Sequence, residues 1–201
     1  MLRMHKPHGG FTLVEIMVSI TLMSILLMLA APSLTTYREN SKIRAAVESF
    51  YASAQLARTE AIRTNQSVQL ALTTDEPTAA NKNTENLSAT ASNWIIRTVS
   101  DDPTPTYQFL AGNTIREGSG SNSTSSVSVS AMSNGSATPS ITFSSASRTL
   151  LGAAWQVNFT STSTACTPSG TARCLRVVIT TSGQIKACDP AATTANDTRA
   201  C

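Results

Sequence analysis

Histidine is almost absent from this sequence: His5 and His8 are the two, both within the first eight of 201 residues. Beyond residue 8 there is no imidazole for a Ser-His-Asp or Cys-His arrangement, and none for a histidine metal site. Charged residues are scarce at 13% and aromatics at 5%, which suits an exported, loop-rich domain better than one with a large buried core. A formal net charge of +3 at pH 7 is no argument for a nucleic-acid partner. The remaining chemical patterns are thin. Gly118-Ser119-Gly120 lacks the lysine and following helix of a phosphate loop. Asp101 and Asp102 are adjacent, so in a strand they would face opposite ways and could not act as a carboxylate dyad. No catalytic residue, cofactor motif or metal-ligand set emerges, and an enzyme is not expected.

Cysteine is missing from the first 165 residues; Cys166, Cys174, Cys188 and Cys201 all lie in the last fifth. An even count confined to the polar part reads as disulfides formed in an oxidising compartment. The rival, zinc, lacks its paired short C-x₂₋₄-C spacing. Three connectivities are open. The local pairs Cys166–Cys174 and Cys188–Cys201 are favoured because each closes a short loop containing Pro and Thr.

A basic leader, MLRMHKPHGG, precedes the run FTLVEIMVSITLMSILLMLAAP. Between Phe11 and Ala31 the one ionisable residue is Glu15. As a helix this run is roughly 30 Å long, the thickness of a bilayer core. Lys and Arg before it place the leader in the cytoplasm and the rest outside. A cleaved secretory signal would carry an A-x-A site after its apolar region, and none is clear. An unpaired carboxylate so deep in the membrane costs a few kcal/mol, so Glu15 marks a partner.

Gly9-Gly10-Phe11-Thr12-Leu13-Val14-Glu15-Ile16-Met17-Val18 resembles the class III leader junction of type IV pilins and pseudopilins. The resemblance implies that a prepilin peptidase cuts between Gly10 and Phe11 and then methylates the new amino group of Phe11, keeping the apolar helix. Glu15, one turn from that cationic N-terminus, would pair with the Phe11 ammonium of a neighbouring subunit and set axial register. Pro32 resembles the helix-kinking proline of many pilins, since its ring and missing N–H loosen the hydrogen-bond ladder.

After Pro32, Ile43, Val47, Phe50, Ala54, Ala57 and Ala61 recur at spacings of four and three, one helical face. Arg and Glu residues intersperse on the other sides, a solvated surface rather than a basic patch. One helix is expected from about Phe11 to Asn65. Beyond it the period drops to two: Ser67–Thr73, Trp94–Ser100, Ile141–Phe143, Trp155–Phe159, Leu175–Thr180 and Gln184–Cys188 read as strands, the last two joined by a Ser182-Gly183 turn. Asp75–Ser92 reads as a polar loop, and Gly118–Ser140 as a mobile loop or an exposed edge hairpin. The expected architecture is α+β and pilin-like: leader 1–10, transmembrane half-helix 11–31, amphipathic half-helix 32–65, and a β-rich head 66–201 with the helix laid across an antiparallel sheet.

The head, through Ile141-Thr142-Phe143 and the closing segment Leu175–Cys188, resembles the FimT/FimU and GspH group of minor pilins and pseudopilins. That implies a single-pass inner-membrane protein with a cytoplasmic leader and periplasmic head. Its partners would be the prepilin peptidase, other minor and major pilins or pseudopilins, and an inner-membrane assembly platform. Some FimT-like members bind DNA through a Gly-Arg-x-Arg element. Here Gly183-Gln184-Ile185-Lys186 stands in its place, which disfavours nucleic acid as a partner, although Arg173, Arg176 and Arg199 could substitute if they converged.

Overall fold

The computed structural model describes residues 11–100, 102–115, 125–146, 148–194 and 196–201; within its long helix the side chains of 29–33 are not described. The chain divides into two compact units, Met1–Tyr37 and Arg38–Cys201. Helix α1, Leu13–Thr64, belongs to both. Its sequence contains no glycine, Pro32 is its one proline, and Leu, Met and Ala favour the helical backbone. The helix starts where Thr12 Oγ1 accepts the Glu15 N–H at 3.2 Å, an N-cap bond. It ends at Asn65, whose φ of 53° is the left-handed conformation that Asn tolerates at a helix C-terminus. The helical assignment is continuous through Pro32. Among the described residues no helix is long and apolar enough to cross a membrane; Gly10 and the leader lie outside them.

In the second unit, Ile43, Val47, Phe50, Ala54, Ala57 and Ala61 are buried, so the stripe faces the core. Among the described residues nine strands follow: β1 Ser67–Thr73, β2 Asn93–Val99, β3 Tyr107–Thr114, β4 Val127–Ser133, β5 Ser136–Ala137, β6 Ser140–Phe143, β7 Trp155–Ser161, β8 Leu175–Ile179 and β9 Ile185–Cys188. They form two antiparallel sheets rather than the single one expected, ordered β3-β2-β1-β6 and β5-β4-β7-β8-β9. Of the two readings of Gly118–Ser140, the edge hairpin holds for 127–137, where β4 and β5 pair at the edge of the second sheet; β3 escaped the sequence reading. In β4, Val127, Val129 and Ala131 are buried, alternating with Ser128 and Ser130. So polar an outer face hides the strand among the serines around it.

Phe50 explains why the helix holds both sheets. Its ring meets Trp94 of β2 edge-on at 5.3 Å, and Phe159 and Trp155 of β7 at 5.5 and 5.9 Å. Buried indoles need partners: Trp94 Nε1 donates to Ser53 Oγ on α1, and Trp155 Nε1 to the Thr138 carbonyl.

Candidate functional site

The first unit is notable for what its own atoms leave uncovered. Every described side chain from Phe11 to Met28 is exposed, from Ile16 at 46% to Met28 at 82% among the large apolar ones. A helix that is apolar on all sides needs lipid or other helices around it. Glu15 is exposed within this surface. Its backbone N–H completes the Thr12 cap, and its carbonyl accepts from Ser19 Oγ at 2.7 Å. The carboxylate is not consumed by the cap.

In the head, Cys166 pairs with Cys174 and Cys188 with Cys201, Cα–Cα 5.5 and 5.1 Å apart. The first loop and the chain leading into it from β7 are docked on α1: Asn40 Oδ1 accepts the Arg173 N–H at 2.7 Å, and Glu39 Oε2 accepts from the Ser161 and Thr164 hydroxyls, both at 3.4 Å. The second ties the C-terminal tail to β9, helped by Lys186 Nζ donating to the Ala200 carbonyl at 2.7 Å. In that tail Arg199 forks onto Asp197 at 2.8 Å. These hydrogen bonds from the guanidinium and the Arg199 N–H lower the Asp197 pKa to about 2. Three cations of the closing region have separate partners. Arg176 donates to Asn158 Oδ1 at 2.6 Å, Lys186 to Ala200, and Arg199 to Asp197.

One organising residue was not visible in sequence. Arg97 on β2 is 2% exposed. It donates to Gln69 Oε1 and to the carbonyls of Lys82 and Thr84, and its guanidinium lies 3.8 Å from the Tyr107 ring centroid. Burial lowers its pKa and Tyr107 opposes that shift; an arginine so placed stays charged. Arg97 thus pins the Asp75–Ser92 loop over the outer face of the first sheet. Asp75 closes the same loop, accepting from the Thr84 hydroxyl and from Asn86. Among the described residues no cluster of His, Cys, Asp and Glu could hold a metal.

A long N-terminal helix, bare and apolar at first and then packed on antiparallel sheets, defines the pilin-like class. Within it the chain belongs to the GspH family: residues 46–183 match the family described as type II transport protein GspH. Residues 5–31 match the prokaryotic N-terminal methylation motif. The chain is similar to the type IV minor pilin FimU of Pseudomonas aeruginosa at 14% identity and a TM-score of 0.52, covering 80% of this chain and 98% of that one. It is also similar to the minor pseudopilin EpsH of the Vibrio cholerae type II secretion system, at 11% identity and a TM-score of 0.49 over 79% and 99% of the two chains. No curated protein is significantly similar in sequence. The chain is a minor pilin or pseudopilin of the type IV pilus and type II secretion families, which are structural filament components.

Proposed function

We propose that the chain is a minor pilin of the FimT/FimU kind that primes type IV pilus assembly from a place at or near the tip. A prepilin peptidase cuts between Gly10 and Phe11 and methylates Phe11. Residues 11–31 hold the subunit in the inner membrane, head outward, until the assembly platform moves it into the filament. The observation that carries this reading is the N-terminal methylation motif on one unbroken helix with a GspH-family head. Glu15 sits in the bare apolar surface, where the Phe11 ammonium of a neighbour offsets its desolvation. The Ser/Thr-rich loops and two disulfides suit an exposed subunit outside the cytoplasm.

A second reading, a pseudopilin of a type II secretion system, draws on the description of the matching family itself. Two experiments test these readings. Sequencing of the protein extracted from membranes is expected to begin at N-methylated Phe11, and any other first residue sinks both. Deletion of the gene is expected to abolish surface pili while leaving protein secretion intact; the reverse result favours the secretion reading.

A further inference from the structure

Among the described residues the two sheets end in four edge strands, and three are blunted. At β6, Leu150 donates to the Thr142 carbonyl and Phe143 bridges to Thr149. Beside β4, the Ala89 carbonyl accepts from Ala131, and the two-residue β5 covers Met132 and Ser133. At β9, the tail is stapled by Cys188–Cys201, with Asp189 donating to the Arg199 carbonyl. β3 differs. From Tyr107 to Asn113 it pairs with β2 alone, and among the described residues no other backbone hydrogen bond reaches this stretch. In an antiparallel pair alternate residues point their N–H and C=O groups away from the neighbour, so Tyr107–Phe109 and Ala111–Asn113 present open donors and acceptors on either side of a bulge at Leu110, the residue skipped between the Arg97–Phe109 and Ile96–Ala111 pairs. That bulge is the one edge-blunting device β3 carries. Its sequence, YQFLAGNT, has no Lys, no other charge and no Pro, the other devices by which edges resist strand addition. The outer face of its sheet is already occupied by the Arg97-pinned loop, with Pro77 packed against Gly112 too closely for any Cβ. Among the described residues the free element is the edge itself.

We propose that the β3 edge takes an extended, uncharged strand from a neighbouring filament subunit, which lengthens the first sheet by one strand. A row of backbone groups recognises only another extended backbone, and an uncharged edge suits an uncharged strand. The strand is not β3 of a second copy. A β3–β3 pair is isologous and closes on itself, whereas a filament grows through contacts between unlike surfaces. The inference rests on the filament reading above.

Hydrogen exchange of the full chain tests it, measured in detergent and again in purified filaments. Amides within Gln108–Asn113 are expected to slow by at least about tenfold on assembly. Absence of the chain from filaments overturns the filament reading. Presence in filaments with this segment still exchanging fast overturns strand addition alone. Protection that appears in detergent and grows with protein concentration marks self-pairing and also overturns it. The exposed Gln108→Lys is expected to cut incorporation about threefold or more with unfolding unchanged; normal incorporation of that variant counts against the proposal.

Discussion

Arg97 shows how much one side chain can organise. Three hydrogen bonds and the Tyr107 face replace water around a guanidinium that is 2% exposed. Arg97→Met keeps the bulk but leaves the Lys82 and Thr84 carbonyls without this donor. Stability in urea is expected to fall by about 2–4 kcal/mol; a loss below about 1 kcal/mol would mean that the loop is held by something else. The strand around Arg97 is legible from its alternation, but its partners are not, because Lys82 and Thr84 lie 15 and 13 residues away in a loop without a period and Gln69 lies 28 residues away on another strand, β1. Glu15 is the opposite case: its place in the leader motif is plain in sequence, and its role is what needs testing. Two roles can be separated. The cap bond uses the Glu15 backbone N–H, which alanine retains, so Glu15→Ala removes only the carboxylate. Processing at Phe11 is expected to stay normal while filament incorporation drops at least about tenfold, the equivalent of ~1.4 kcal/mol of subunit contact. Thr12→Ala, which loses the cap at about 1 kcal/mol, is the control. Equal incorporation of Glu15→Ala and the unaltered chain would end the pairing argument.

Among the elements, the C-terminal tail is the one whose behaviour should depend most on covalent and ionic ties. The Cys188–Cys201 loop spans 13 residues, and cross-linking a loop of that size stabilises a fold by about 3 kcal/mol through the unfolded chain. The double variant Cys188→Ser/Cys201→Ser is therefore expected to lower stability by ~2–3 kcal/mol and to raise exchange at β9, with the first sheet unaffected. Asp197 adds a pH signature. Its folded pKa is depressed from 3.8 to about 2, so its favourable contribution is present above 3.8 and is lost as pH falls through about 2. A carboxyl chemical-shift titration should give a midpoint near 2, moving back towards 3.8 in Arg199→Gln; an unmoved midpoint would remove the guanidinium as the cause. Strands were legible where large apolar residues alternate, as in β1 and β7. They were legible only as one of two alternatives where the outer face is serine, as in β4, and not legible where the pairing is interrupted, as in β3, whose Leu110 is skipped between the Arg97–Phe109 and Ile96–Ala111 pairs. Hidden with them was the split into two sheets, since long-range pairing leaves no local mark on a strand.

At the scale of the whole molecule, the chain consists of one unit that lacks a core and one that is complete. The large apolar side chains described in the first unit lie bare, while the aromatic cluster, both disulfides and both sheets belong to Arg38–Cys201. The helical stretch within that unit would be marginal in water by itself. What keeps it helical there is burial of the Ile43–Ala61 stripe, with Phe50 touching β2 and β7 at once. Residues 38–201 alone should accordingly be soluble without detergent and unfold cooperatively, with a near-UV signal from Trp94 and Trp155 matching that of the full chain. Phe50→Ala in that fragment should cost about 3–5 kcal/mol, a large part of the roughly 5–15 kcal/mol that a domain of this kind possesses. It should also loosen both sheets together, because one ring serves both. If the fragment instead lacked fixed tertiary structure, the head would depend on the first unit for folding, and the division of labour between a bare assembly helix and a self-sufficient head would not hold.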